Sequence, residues 1–269
     1  MQDAPAQIFG VDDLVGDLRA LGFTTGDGIF VHCALGQIGH VIGGPRSVIE
    51  ALIETIGETG LIGMPGFSTD AYDPLDALDI SVSEATHAHI RAQVPGFDIH
   101  RSSASANGAV AEAFRTWPGV VRSPHPTTSV LFYGKDAADF TTPHSSARWA
   151  TGPETPWGQL MERPNMKILL IGVGWNRCSA LHAAESLAPH KRTKLRHFKD
   201  AVTGDWLTAA DVADDRDRLF PLVGADWEKD GTVVHGPLGK ALCRVTGYLD
   251  LVTYAADWID ARNKADGVS

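Results

Sequence analysis

Apolar positions along the chain fall into two alternating periods. Val11, Leu14, Val15, Leu18 and Leu21 recur at helical spacing up to Gly22, which predicts an amphipathic helix. Gly26-Asp27-Gly28 then reads as a turn, and Ile29-Phe30-Val31 as a short buried strand that ends at His32. A loop carrying Gly36, Gly39, Gly43 and Gly44 follows. Pro45 suits the first turn of a helix sustained by Val48, Ile49, Leu52, Ile53 and Ile56. Farther on, the unbroken run Ile168-Leu169-Leu170-Ile171, bounded by Gly172 and Gly174, predicts a strand buried on both faces. From Ser179, placed as an N-cap, Ala180 to Ala188 predicts a buried helix. Leu249, Leu251, Val252, Ala255, Ala256 and Ile259 predict a closing helix with a polar tail. Buried strands alternating with helices place the chain in the α/β class, as a layered α/β/α sandwich around a central mixed sheet. Neither an internal repeat nor a low-complexity linker divides it. The expected organisation is an N-terminal extension over 1–10, one domain over 11–262 and a tail over 263–269.

Composition narrows the picture only slightly. At 269 residues with 43% hydrophobic content, the chain can fill the core of one large domain. A formal charge of -10 argues against a nucleic-acid partner and is compatible with a cationic ligand. Cys33, Cys178 and Cys243 are widely separated, which fits neither a disulfide framework nor a structural zinc site. The N-terminus has no basic segment followed by an apolar core, and no apolar run approaches spanning length. The expectation is a cytoplasmic protein with no membrane partner.

Candidate chemistry concentrates in a few stretches. His182 and Glu185 lie three residues apart, on one face of the predicted alanine-rich helix, where an imidazole and a carboxylate can form an oriented general base. The plainer reading is a satisfied core histidine. Gly172-x-Gly174 after a strand resembles part of a dinucleotide fingerprint, but Arg177 stands where the third glycine belongs. The loop from Cys33 to Gly44 is either a tight connection or a phosphate cradle at a helix N-terminus, and it lacks the ending of a P-loop. Asp70, Asp73, Asp76, Asp79 and Glu84 form an acidic loop, solvated or suited to binding ammonium groups. His87-x-His89 has metal-compatible spacing without an evident third ligand, so no metal is expected. The basic run from His190 to His197 is either a solvated face or a contact to cofactor phosphates, and Asp211 to Asp217 is expected to be exposed.

Several blocks together carry a family resemblance. VHCALGQIGHVIGGPRSVIEALIETIGETGLIGMPGFSTD, Gly108 to Arg115, Arg122-Ser123-Pro124-His125-Pro126, Gly152 to Pro156, and Gly172-Val173-Gly174 leading to Leu181-His182-x-x-Glu185 follow one another in this order. This order resembles the aminoglycoside N3-acetyltransferase family, over roughly Val11 to Arg262. Ala34 stands where the family has a serine, Cys178-Ser179 where it has Asn-Thr, and Asn176 where it has an acid. The resemblance implies that 11–262 is an acetyltransferase domain using acetyl-coenzyme A as cosubstrate. It implies acetylation of an amine of a polycationic aminoglycoside, at the 3-amino group of the deoxystreptamine ring, with antibiotic resistance as the result. It places Cys33, Ala34, Leu35, Gly36, Gly43, Gly44 and Ser179 at the cofactor, and Asp70, Asp73 and His125 at the acceptor. A homodimer stays open.

Acyl transfer from a thioester to an amine needs a proton acceptor, donors for an oxyanion and a leaving thiolate. An alkyl amine with a pKa of about 10 is mostly protonated at neutral pH, so an imidazole beside it has a definite task. His182 with Glu185 is the first choice for the base and His32 the second, while loop N–H groups or the Ser179 hydroxyl can serve the oxyanion. Two rivals remain at this level: a hydrolase with Cys33 or Cys178 as nucleophile, and a noncatalytic binder of polycations.

Overall fold

The computed structural model describes residues 7–76, 81–145, 149–213 and 218–268. A short strand, β1 (Ile8–Phe9), precedes α1 (Val11–Ala20), which buries Leu14, Val15 and Leu18 as their spacing predicts. β2 (Gly28–Cys33) is buried through His32 and leads into the single turn of α2 (Leu35–Ile38). β3 (His40–Val41) pairs with β1 in parallel, α3 (Pro45–Ile56) starts on Pro45, and β4 (Leu61–Pro65) is wholly buried. α4 (Glu84–Gln93) starts behind Ser83, whose Oγ accepts the Thr86 N–H. Next come α5 (Ala109–Arg115), β5 (Val121–Arg122), β6 (Val130–Gly134), the short α6 (Pro156–Gln159), β7 (Met166–Ile171) and α7 (Ala180–Leu187). The chain closes with β8 (Thr193–Lys199), β9 (Trp206–Val212), α8 (Phe220–Asp230), β10 (Val234–Leu238), β11 (Ala241–Gly247) and α9 (Tyr248–Ala265).

Among the described residues, seven strands form the central sheet in the order β10-β11-β7-β2-β4-β6-β5. The middle trio β7, β2 and β4 is parallel and the flanking pairs are antiparallel, so the sheet is mixed. β8 and β9 make a separate antiparallel hairpin. The two-residue period of a strand assigns side chains to faces. Ile29, Val31, Ile62, Leu169 and Ile171 pack with the apolar stripes of α1, α3 and α5, whereas Phe30, Leu61, Phe132, Ile168 and Leu170 pack with α7, α8 and α9. This is the layered α/β/α sandwich expected from the sequence. Each fully buried Leu, Ile or Phe contributes about 1.5–3 kcal/mol relative to exposure, so both covers are needed to hold the sheet.

The second face is closed by aromatic packing. Trp157 is fully buried, its ring 5.1 Å from that of Phe30 and 5.7 Å from that of Phe67, and its carbonyl accepts the Tyr248 hydroxyl at 2.8 Å. Gly63 makes room for this layer, because a Cβ there would come within 2.6 Å of Phe132 and 2.7 Å of Phe30. α9 runs through Ala265. Two sequence expectations are corrected locally. The basic run is spent on internal ties rather than left as a solvated face: His190 pairs with Asp260, Arg192 with Asp266, Arg196 with Asp211 and His197 with Asp76. Asp211 is buried, whereas 214–217 and Asp79 lie outside the described residues.

Trp157→Ala removes the ring that joins Phe30 to Phe67, and a Trp truncation in a core of this kind costs about 3–5 kcal/mol. Denaturant titration should show a loss of that size, and a loss below about 1 kcal/mol would mean that the layer does not depend on Trp157.

Candidate active site

The parallel trio ends at Cys33, Pro65 and Ile171, and in open α/β sheets ligands bind beyond such carboxyl ends. A cavity of about 490 Å³ opens there, with His32, Cys33, Ala34 and Pro65 at the strand ends. Loops 67–69 and 106–108 form one wall, the segment from Val173 to His182 forms another, and Arg196, Asp211 and Val212 of the hairpin close the side.

Local sequence explains how His182 reaches this cavity. After β7, Gly172 turns the chain with a positive φ of 62°, and Trp175 anchors a tight turn by packing on Gly224 of α8. Trp175 Nε1–H also donates to Glu228 at 2.8 Å. α7 follows at once, and its buried Ala180, Ala183 and Ala184 let it lie close to the sheet and to α9. His182 emerges on the cavity side, where Nδ1 is 2.8 Å from Glu185 Oε2. A carboxylate only accepts, so Nδ1–H is the donor and Nε2 becomes the basic atom of the neutral ring. Phe220 stands edge-on to the imidazole at 4.8 Å, and Thr151 Oγ–H donates to the His182 carbonyl at 2.9 Å. The ring is thus oriented by a carboxylate and held from behind through its own main chain.

His32 faces the same cavity from β2. Its Nε2 accepts the Ser179 main-chain N–H at 3.3 Å. Burial, helped by the neighbouring His182, pushes its pKa down from 6.5 to about 3, so the ring is neutral. Ser179 is the N-cap residue of α7, as expected, but its hydroxyl makes no capping bond, and its N–H is what faces β2. Burial pushes the Cys33 and Cys178 thiols up to about 12, which removes the thiolate that a cysteine nucleophile requires. Among the described residues, no group of three or more His, Cys, Asp or Glu side chains is arranged to hold a metal ion.

The remaining expected site residues divide by position. Cys33, Ala34, Ser179, His32 and His182 line the cavity, and Glu185 stands behind His182. Leu35 and Gly36 belong to α2 beyond the lining, and Gly43 and Gly44, with φ of 81° and 60°, are spent turning the chain into α3. Asp70 is off the lining as well. Asp73 is buried with its Oδ2 held at 2.7 Å by both His87 Nε2 and Arg91 Nε, so it clamps α4 rather than facing a ligand. His125 is buried behind Thr127 and Thr128, accepting their main-chain N–H groups on Nδ1, and its ring lies 4.6 Å from that of His144. Sequence reasoning missed Phe67, which lies in the first block of the resemblance without being singled out, and Asn107, Thr151 and Phe220, which carry no motif of their own. Asn107 ties the two loops of that wall together, donating to the Phe67 carbonyl at 2.9 Å and the Ala104 carbonyl at 3.0 Å. Arg196 was visible only as part of a basic run. In the fold it donates to Asp211 at 2.7 Å and to the Tyr72 hydroxyl at 3.1 Å.

Comparison with known proteins follows the same lines. The family model for aminoglycoside 3-N-acetyltransferase matches residues 30–260. The aminoglycoside N(3')-acetyltransferase-like protein YokD of Bacillus subtilis is 31% identical over 253 residues, spanning 92% of each chain. The crystal structure of YokD from Bacillus subtilis superposes with a TM-score of 0.87, covering 95% of this chain and 94% of that one. A structure of AAC-IIIb binary with CoASH matches at TM-score 0.83 and 29% identity, covering 95% and 97%. A structure of AAC-VIa bound to sisomicin matches at 0.82 and 31%, covering 94% and 98%.

The buried neutral histidines set a pH dependence of stability. His32 and His144 have folded pKa values pushed down to about 3 and about 4 by burial, and burial likewise holds His125 well below its ordinary 6.5. The unfolded chain therefore binds more protons than the folded one below pH 6.5. Their contribution is complete above 6.5 and is lost as pH falls toward the folded values, by up to about 1.4 kcal/mol per pH unit for each ring. Unfolding followed from pH 7.5 to 4.5 should show a steep decline beginning near 6.5. A flat profile would mean that these rings are not buried as neutral groups.

Proposed function

Because the chain belongs to the aminoglycoside 3-N-acetyltransferase family, a family of acyltransferases, we propose that it transfers the acetyl group of acetyl-coenzyme A to an amine of an aminoglycoside, at the 3-amino group of the deoxystreptamine ring. In a cell this would confer antibiotic resistance. The observation that carries the reading is the His182–Glu185 pair at 2.8 Å on the wall of a cavity at the carboxyl ends of β2, β4 and β7. The neighbours with CoASH and with sisomicin support both halves of the reaction by likeness of fold.

The cavity suits the slender acyl-bearing arm of such a donor. Ala34, Pro65 and Val173 give it small apolar surfaces, and at Gly108, where φ is 101°, a Cβ would press to 3.1 Å from the Cys33 carbonyl. The chemistry then falls to the dyad. His182 Nε2 takes the proton of the substrate ammonium, and Glu185 stabilises the resulting imidazolium. The freed nitrogen lone pair attacks the acetyl carbonyl carbon, forming the C–N bond as the carbonyl π pair moves to oxygen. Return of that pair breaks the C–S bond and the leaving thiolate takes the proton held on His182; the regenerated Nε2 then takes the extra proton of the acylated nitrogen and passes it to solvent. The base is thereby restored and the amide released.

A second reading keeps the reaction and changes the acceptor to an amine of lower charge. It is favoured by Asp211, the carboxylate among the described lining residues, which is already neutralised by Arg196. A panel of aminoglycosides and simple amines, followed by release of free thiol, distinguishes the two.

His182→Ala should lower kcat by about 10²–10⁴ and Glu185→Gln by less, with the donor Kd nearly unchanged. Turnover at the wild-type level in folded His182→Ala would remove the base from this residue. Cys33→Ser should keep turnover within a few-fold, and loss of all activity with an intact fold would restore the cysteine-nucleophile reading.

A further inference from the structure

The general base leaves a second requirement of acyl transfer unmet: a donor for the negative charge that develops on the acetyl oxygen. His32 has the geometry for it. It sits at the carboxyl end of β2, opposite Leu170 of β7 and on the sheet face covered by α7, and it lines the cavity with His182 and Ser179. Its Nε2 accepts the Ser179 N–H at the start of α7. A ring nitrogen that accepts a hydrogen bond carries no proton, so the proton of the neutral imidazole is on Nδ1. Among the described residues no acceptor pairs with Nδ1. Nor is it one of the buried polar atoms left without a partner, so Nδ1–H opens on the cavity.

We propose that His32 is a neutral hydrogen-bond donor to the acetyl carbonyl oxygen, held in its donor tautomer by the first turn of α7, and is not a second base. The assignment rests on the acetyl-transfer reading above. It also makes sense of the residue's electrostatics. A pKa lowered to about 3 leaves His32 far too weak a base to deprotonate an alkyl ammonium of pKa about 10, yet keeps its N–H in place across the working range. A cation at that position would repel the imidazolium that forms on His182, whereas a neutral donor meets the oxyanion without adding charge. The donor is also preorganised. Phe30 packs on the ring at 5.5 Å, and the Ser179 bond fixes its rotation, so no reorientation is needed as charge moves to oxygen. The electron pair that reaches the oxygen returns when the C–S bond breaks, and His32 keeps its own proton throughout.

Two substitutions separate this role from simple bracing of α7. Asparagine retains an N–H near the place of Nδ1 and loses the acceptor for Ser179, whereas glutamine reaches the place of Nε2 with an acceptor and has no donor near Nδ1. His32→Gln should therefore lose about 10²–10³ in kcat, the scale of one lost oxyanion donor, while His32→Asn stays within about tenfold of wild type. Wild-type turnover in His32→Gln, or a loss in His32→Asn as deep as in His32→Gln, would overturn the assignment in favour of bracing. The tautomer is read on the wild-type protein by ¹⁵N NMR: protonated Nδ1 and unprotonated Nε2 from pH 5 to 8 are expected. A proton on Nε2, or titration of His32 near 6.5, overturns the proposal whatever the variants do. Failure of the wild type to release free thiol with any amine would instead remove the transferase reading itself.

Discussion

The parallel pairing of β7 with β2 is the constraint from which the rest of the site follows. Its register sets His32 opposite Leu170 and Cys33 opposite Ile171, so both strands end at the same level and their connections emerge side by side. The two-residue period puts Phe30 and His32 on the α7 side. A slip of one residue would send His32 toward α3 and α5 and bring Val31 to the cavity side. The turn after β7 then carries α7 back across the same face, and the Ser179 N–H meets His32 Nε2. One backbone pairing thus fixes two histidines that are 150 residues apart in the chain.

Loops that surround such a site need ties of their own, because they lack the sheet's ladder. Arg122, buried, donates to the Gly66 and Ser102 carbonyls and to Ser129 Oγ, joining the end of β4 to two other segments. Removal of its guanidinium would take the donor from the buried Ser102 carbonyl and leave the Gly66 carbonyl with Ser129 Oγ alone, so its role is stronger than that of an exposed cation. Asn107 does the same between loops 67–69 and 104–108, and Arg196 with Asp211 fixes the hairpin that closes the side. Asp73 belongs to this set. Its charge is consumed in holding His87 and Arg91, which is why an acidic residue in a polar loop is turned inward.

The two histidines of the cavity differ in their surroundings. His182 donates Nδ1–H to a carboxylate that can stabilise an imidazolium, whereas burial, helped by His182, keeps His32 neutral and the Ser179 N–H occupies its Nε2. The same ring type therefore serves two ends of one reaction: one accepts a proton and the other presents one without giving it up. The cysteines are excluded by the same physics, since burial without a cationic partner opposes the thiolate.

The sequence by itself determined several of the elements and the pairing of His182 with Glu185. Apolar period sets α1, α3, α7 and the strands β2 and β7, and the i,i+3 spacing of His182 and Glu185 guarantees that a helix brings them together. Both are local facts, decided by backbone geometry within a few residues. The tertiary structure decided which glycines, acids and histidines face the cavity. Gly43 and Gly44 read like a cradle, and in the fold they turn the chain into α3 off the cavity lining. Asp73 reads like a ligand for ammonium but is closed off by His87 and Arg91, fourteen and eighteen residues away. Asp211 reads like an exposed acid, yet the hairpin buries it against Arg196. Asn107, Thr151 and Phe220 have no signature, because their role comes from segments that only the folded sheet sets side by side. A side chain's charge is written in the sequence, but what cancels it and which way it points depend on contacts between distant segments.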